Sequence, residues 1–218
     1  MTVRFLVFIG SVRESAPPRP PRLGLRVARS CAAALEGAGR EVALIDPLDF
    51  ELGGVFRPQF AYAEGRAPEA LEALAARISA ADGYVMASPE YNHSMSPALM
   101  HLLNHFGASR FALKPSAIVT YSAGQWGGAR AAVNMRTFLA ELGCLPVSAM
   151  VHVPKAQEAL NEDGTWAAGT DAAAWNRYLG RTFGQLVWWA EAAAARRAAG
   201  PPDESPALDR DPAQRNAP

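Results

Sequence analysis

The chain has 218 residues, of which 21 are Lys or Arg and 21 are Asp or Glu, so its formal net charge is zero. This length fits one α/β domain better than two typical domains. Half of the residues are apolar and 19% are charged, as in an ordinary globular protein. A protein that binds nucleic acid through its phosphates normally carries a basic excess, so a nucleic-acid partner is not expected.

The cysteine content and the apolar runs give further expectations about compartment. Cys31 and Cys144 lie far apart without a CxxC pattern, so neither a zinc site nor a disulfide framework is expected. The apolar run near the N-terminus is too short for a signal peptide. No apolar run reaches the roughly 18 residues of a membrane span. We therefore expect a soluble cytoplasmic protein without a membrane partner.

Short apolar runs rich in β-branched residues alternate with longer Ala- and Leu-rich stretches of helical period. Strands are expected at residues 3–9, 41–45, 84–87, 117–121 and 146–153. Helices are expected at residues 23–38, 67–81, 97–106, 129–142 and 171–195. A helix after every strand predicts parallel strands, right-handed crossovers and an α/β doubly wound sheet with helices on both faces. Residues 1–197 are expected to form one domain, and the Pro-rich, charged residues 198–218 a flexible tail.

Ligands of doubly wound sheets bind at the carboxyl ends of the strands, which directs attention to the loops after the first, third and fourth strands. The first of these loops begins at Gly10. A phosphate there could meet free backbone N–H groups, the hydroxyls of Ser11 and Ser15, and the positive end of a helix macrodipole. Arg13 and Arg22 could add charge-assisted hydrogen bonds. The pattern is neither GxxxxGK[ST] nor GxGxxG, which disfavours a P-loop NTPase and a standard dinucleotide fold.

The other two loops have features suited to a flat ring. After the third strand, Pro89 holds the backbone extended and Tyr91 offers an aromatic wall, although an ordinary capped loop is the alternative interpretation. After the fourth strand, three glycines (Gly124, Gly127 and Gly128) precede a helix and would let the backbone approach a ligand closely. The N–H groups at the start of that helix would favour a ring that becomes anionic.

Together these motifs resemble the NADPH-dependent FMN reductase family, a flavodoxin-like group that includes quinone, azo and chromate reductases. The resemblance is carried by GSVR at 10–13, PEYNHS at 89–94 and YSAGQWGGARAAVNMRTFLAELGCLPV at 121–147, and it covers roughly residues 3–153. It implies a flavodoxin-like five-stranded parallel sheet in the order 2-1-3-4-5. It also implies FMN as the cofactor, with NADPH or NADH as the hydride donor.

The resemblance also assigns residues to parts of FMN. The phosphate would be bound by Ser11, Arg13, Arg22 and, with a register shifted by a Pro-rich insert at 17–21, Ser15. The ribityl chain and ring would be bordered by Pro89, Glu90, Tyr91 and Asn92. The pyrimidine side of the ring would face Ser122, Ala123, Gly124, Gly127 and Gly128. The positions that read LKNxxD in relatives read LMHLLN at 99–104, which removes a salt link at the family's usual subunit contact.

The implied reaction is a hydride transfer from NAD(P)H to FMN and onward to a flavin, quinone or similar small acceptor. No catalytic side chain and no metal are expected, and the acceptor would follow the nicotinamide into the same place, giving ping-pong kinetics. The 2′-phosphate of NADPH would need an arginine. The candidates are Arg13, Arg19, Arg22, Arg57, Arg66 and Arg110.

Several alternatives accompany this interpretation. Ser122 lies at a strand-to-helix turn, as in a serine hydrolase, with His152 as the histidine that follows it. A flavin-binding sensor or carrier without enzymatic activity is a second alternative. His101 and His105 are spaced like zinc ligands, although packing is the favoured interpretation.

The helix at 97–106 is apolar on more than one face, which predicts a homodimer or a tetramer.

Overall fold

Strands and helices alternate along the chain in the computed structural model, which describes residues 3–13 and 22–200. The strands are β1 (Arg4–Ile9), β2 (Glu41–Ile45), β3 (Gly83–Pro89), β4 (Lys114–Tyr121), β5 (Cys144–Pro146) and β6 (Val151–Val153). The helices are α1 (Leu23–Gly37), α2 (Glu69–Ala80), α3 (Pro97–Asn104), α4 (Ala108–Phe111), α5 (Ala129–Glu141), α6 (Ala156–Ala159) and α7 (Ala172–Ala198). Short 3₁₀ turns occur at Pro47–Asp49 and Gln59–Ala61.

The strands form one parallel sheet in the order β2-β1-β3-β4-β5, with β6 also paired to β4. This confirms the predicted flavodoxin-like, doubly wound sheet. Residues of β3 and β4 are almost all buried because helices cover both faces. One core cluster packs the sheet against α2, α3 and α5, and the other packs it against α1 and α7. Both clusters hold the carboxyl ends of β1, β3 and β4 at one edge.

The last strand differs from the single run expected at residues 146–153. It is divided into β5 and β6, and both segments pair with β4. In the interval, the Val147 carbonyl accepts a hydrogen bond from Arg136 Nη2 at 3.0 Å, and the Ala149 N–H donates to Gln185 Oε1 at 3.1 Å. Side chains of α5 and α7 thus replace part of the ladder, and the strand bends between its two segments.

Helix α3 buries the apolar residues that suggested a partner surface. Leu99, Leu102 and Leu103 are fully buried in the core of this chain, and Phe106 follows them there. Met100 is partly buried against the same cluster. The apolar character of α3 is therefore explained by packing within the chain, and the homodimer or tetramer stays a prediction.

The end of the chain bears on two further predictions. Helix α7 continues to Ala198, about three residues beyond its expected end, and residues 201–218 of the predicted tail lie outside the described residues. The division into a domain at 1–197 and a tail therefore stays a prediction. Within residues 3–13 and 22–200, no helix combines the length and the hydropathy that crossing a bilayer requires.

Candidate functional site

A cavity of about 350 Å³ opens at the carboxyl edge of the sheet. It lies where the loops after β1, β3 and β4 meet, and its volume is within the range of small-molecule sites. Its lining consists of Ser11, Arg13, Leu23, Gly24, Pro89, Glu90, Tyr91, Tyr121, Ser122 and Ala123. Seven of these ten residues were singled out from the sequence, and they come from all three loops.

The first wall of the cavity is formed by the residues that directly follow β1 and by the first turn of α1. Gly10 is held against β3, because its N–H donates to the Ala87 carbonyl at 2.7 Å. The buried Ser11 follows, and its Oγ accepts a hydrogen bond from the Arg13 N–H at 3.2 Å. Arg13 is exposed at the mouth of the cavity. Ser15 and Arg19 lie outside the described residues, as does the Pro-rich insert at 17–21.

Arg22 does not line the cavity, in contrast to the role that the resemblance implied. Its guanidinium forms a two-point pair with the carboxylate of Asp46, with an Nη1–Oδ2 distance of 2.5 Å and an Nη2–Oδ1 distance of 2.8 Å. Both side chains are largely buried. Asp46 directly follows β2, which neighbours β1, so the sheet order brings this acid to the start of α1. The pair neutralises most of the charge that Arg22 could offer to an anion.

The second wall begins with Pro89 and ends in a tight turn. The backbones of Tyr91 and Ser94 exchange two hydrogen bonds, of 3.0 and 2.9 Å. Between them, Asn92 and His93 have φ values of +49° and +63°, as in a type I′ turn. Asn92 is exposed at the tip of this turn and does not line the cavity. Its place in the structure is that of a turn residue, for which asparagine is well suited.

Glu90 joins the second wall to the start of α5. Its largely buried carboxylate pairs with Arg130 and accepts a hydrogen bond from the Ala131 N–H at 3.4 Å. Burial alone would raise the pKa of Glu90, but Arg130 and the Ala131 N–H outweigh it and hold the pKa below its ordinary value. Glu90 therefore stays ionised and caps α5. The helix end that was expected to face a ligand ring already carries this carboxylate.

The third wall is the loop after β4. The Ser122 Oγ donates to the Gly124 carbonyl at 2.8 Å and accepts from the Gly127 N–H at 3.0 Å. Gly128 has a φ of +77°, and a Cβ there would lie 2.9 Å from the Thr120 Cβ. Gly124, Gly127 and Gly128 do not line the cavity. They shape the loop that presents Ser122 and Ala123 to it.

Three lining residues were not singled out from the sequence, namely Leu23, Gly24 and Tyr121. Leu23 and Gly24 form the first turn of α1. Tyr121 is the last residue of β4, and its side chain reaches across to Gly24. A large side chain with a hydroxyl at the carboxyl end of a strand, next to a predicted ligand loop, is the signal that could have indicated Tyr121.

Comparison with known proteins decides the family. Residues 3–158, more than half of the chain, match the profile of the NADPH-dependent FMN reductase family. The chain belongs to this family. The prediction made from the three loop motifs is therefore confirmed, and the family's description contains both FMN and NADPH, the cofactors expected from the sequence.

Curated proteins of known function resemble this chain over part of their length. An NADPH azoreductase of Bacillus sp. is 39% identical over 72 residues, which are 33% of this chain and 40% of that protein. An NAD(P)H-dependent FMN reductase of Pseudomonas aeruginosa is 38% identical over 103 residues, which are 44% of this chain and 55% of that protein. The chain thus spans about half the length of the curated relatives that it matches.

The fold of this chain agrees with that of a solved structure. The flavoenzyme NAD(P)H:(acceptor) oxidoreductase FerB of Paracoccus denitrificans superposes with a TM-score of 0.63 at 22% identity. The superposition covers 87% of this chain and 98% of FerB. At this identity the comparison supports the architecture of the sheet and its helices.

The hydrolase and metal alternatives do not fit the geometry of this FMN reductase family member. His152 Nδ1 lies 2.8 Å from Thr120 Oγ1, whereas the Ser122 hydroxyl is engaged within its own loop. His101 and His105 pack together, with ring centroids 5.0 Å apart, against the ring of Phe56. In the part of the chain that the structure describes, no three His, Cys, Asp or Glu side chains are placed to hold a metal ion.

Proposed function

We propose that this chain is an NAD(P)H-dependent oxidoreductase that binds FMN in the three-loop cavity and passes electrons to a small acceptor such as a flavin or a quinone. One observation carries the proposal: in a member of the FMN reductase family, the loops after β1, β3 and β4 meet around a single cavity at the carboxyl edge of the sheet. That edge is where doubly wound sheets bind nucleotides.

The groups that line the cavity fit the two parts of FMN. The residues after β1 and the start of α1 supply the Ser11 hydroxyl and the exposed Arg13, which together suit a phosphate. The buried hydroxyl of Tyr121 has no hydrogen-bond partner among the described residues, and Tyr121 lines the cavity beside Ser11 and Gly24. The loops after β3 and β4 supply Pro89, Tyr91 and the Ser122–Ala123 backbone, which offer rigid, flat surfaces to a ring system.

Bound FMN would supply the redox chemistry, namely two-electron exchange with a nicotinamide and with an acceptor. The residues of this chain bind the cofactor, orient it and leave one face of the cavity open. We assign no side-chain acid or base to the reaction. Donor and acceptor would use the same open face in turn, which predicts ping-pong kinetics with parallel steady-state lines.

The purified protein should bind FMN and turn yellow, and anaerobic NADPH or NADH should bleach its visible absorbance. Adding a quinone should restore the colour. A protein that stays colourless in excess FMN would contradict the proposal. A yellow protein whose absorbance neither nicotinamide changes would instead favour a flavin carrier or sensor.

Arg13 and Arg22 should have different roles, although both lie in the same stretch of sequence. Arg13→Ala should weaken FMN binding about 3- to 10-fold with little change in stability, because the exposed guanidinium lines the cavity. Arg22→Ala should lower the free energy of unfolding by about 1–2 kcal/mol, because it leaves the largely buried Asp46 carboxylate without its cation. Fluorescence titration with FMN and urea unfolding measure the two effects.

The matched control for this pair is Arg66→Ala, which removes an exposed arginine that does not line the cavity. It should change neither quantity measurably. If Arg22→Ala weakened FMN binding as much as Arg13→Ala without loss of stability, Arg22 would be a phosphate ligand, as the resemblance implied.

A further inference from the structure

The hydroxyl of Tyr121 is a buried polar group that has no hydrogen-bond partner among the described residues. The residue is 3% exposed, and its oxygen makes no hydrogen bond within residues 3–13 and 22–200. Ser11 is close enough to influence the pKa of the phenol, but the two hydroxyls do not form a hydrogen bond of acceptable geometry. Leaving a buried polar group unpaired is costly, and such groups in native proteins usually have a specific explanation.

The position of this hydroxyl points to a ligand. A Cβ on Gly24 would lie 2.4 Å from the Tyr121 oxygen and 3.1 Å from the Ser11 Cβ, so the three residues surround one point. All three line the cavity. Helix α1 has 15 residues, and the side chain of Arg22, which precedes it, makes no capping hydrogen bond. Gly24 belongs to the first turn of α1, so the Tyr121 hydroxyl lies against the end of the helix at which backbone N–H groups favour an anion.

The chemistry of these groups is that of neutral donors around an anion. Burial raises the pKa of Tyr121, and the opposing influences of Ser11 and Arg22 are smaller, so the phenol keeps its proton and can donate it in a hydrogen bond. Arg22 is paired with Asp46. An anion at the start of α1 would therefore be held by oriented neutral donors together with Arg13.

We propose that Tyr121 binds the flavin phosphate: its hydroxyl donates a hydrogen bond to a phosphate oxygen at the start of α1, so that the site selects FMN over unphosphorylated riboflavin. This inference rests on the proposed function, since it deepens the description of the same cavity. It assigns to β4 a direct contact with the phosphate, in addition to the contacts of the loop after β1.

The test is Tyr121→Phe, with dissociation constants for FMN and for riboflavin measured by quenching of flavin fluorescence on the apoprotein. Losing a hydrogen bond to a charged group should weaken FMN binding about 10-fold or more. Riboflavin, which has no phosphate, should bind the variant and the wild type equally well, within about twofold. The melting temperature of the apoprotein should not fall, because the hydroxyl that is removed has no partner in the part of the chain that the structure describes.

Tyr84→Phe is the matched control, because Tyr84 is as deeply buried but lies in the other core cluster. Its hydroxyl donates to the Ile78 carbonyl at 2.8 Å. This variant should lose stability, while its ratio of FMN affinity to riboflavin affinity stays that of the wild type.

The outcomes separate this inference from the function on which it rests. Equal loss of affinity for both flavins in Tyr121→Phe, or unchanged affinity for FMN, would overturn the phosphate contact and leave the oxidoreductase proposal standing. A clear fall in the melting temperature of apo Tyr121→Phe would show a structural role and overturn it too. A wild-type protein that binds neither flavin would overturn both.

Discussion

Replacing Gly10 by alanine should lower the free energy of unfolding by about 3 kcal/mol and abolish tight binding of FMN. A Cβ at this position would lie 2.2 Å from the Ala87 carbonyl oxygen and 2.8 Å from the Ser88 Cα. Both are backbone atoms of β3, which is buried between two layers of helices and cannot move aside. The methyl group would therefore push the end of β1 away from β3 and displace the first wall of the cavity.

Urea unfolding and fluorescence titration with FMN measure these effects, and Gly180→Ala is the matched control. A Cβ at Gly180 would meet nothing within 4 Å, and the residue lies inside α7. Alanine should stabilise the helix there by about 0.5–1 kcal/mol, so the same substitution should have opposite signs at the two positions. Wild-type stability in Gly10→Ala would show that β1 and β3 can separate at their carboxyl ends at little cost.

The architecture could be predicted from the sequence because its determinants are local. Helical period, β-branched runs and turn residues fix the type of each element, and the five predicted helices start and end within about three residues of their observed bounds. The order of strand and helix then implies a parallel sheet, and a parallel sheet brings its loops to one edge. The cavity follows from the same reasoning, which is why residues of all three loops line it.

The individual roles within the site could not be predicted in the same way, because they depend on partners distant in sequence. Arg22 is paired with Asp46, which follows β2 and lies 24 residues further along the chain. Glu90 interacts with Arg130 and Ala131 across the junction of two loops. Periodicity indicates which face a strand residue occupies, but not where a long side chain at the strand's end will reach. The hydroxyl of Tyr121 was missed for that reason.

Replacing Glu90 by glutamine should lower the free energy of unfolding by about 2 kcal/mol at neutral pH. Its side chain is only 9% exposed, so the carboxylate is worth more there than on the surface. Glutamine keeps the shape of the side chain but removes the charge that pairs with Arg130 and that complements the start of α5. The loss should be measured by urea unfolding.

The loss of stability caused by Glu90→Gln should depend on pH. The folded state holds the pKa of Glu90 below its ordinary value, so the carboxylate stabilises the fold fully above the unfolded-state pKa of about 4.3. That stabilisation is lost as the pH falls through the lower, folded-state pKa. The gap in stability between the wild type and Glu90→Gln should therefore be constant above about pH 6 and should close below about pH 4.

A second glutamine variant separates this effect from that of an ordinary surface carboxylate. Glu158 pairs with Lys155 at 3.4 Å, but both side chains are more than half exposed. Because water screens such a pair, Glu158→Gln should change the stability by no more than about 0.5 kcal/mol at any pH. If Glu90→Gln behaved like Glu158→Gln, the contact between Glu90 and the start of α5 would contribute nothing to the fold. The second and third walls of the cavity would then be held together by packing alone.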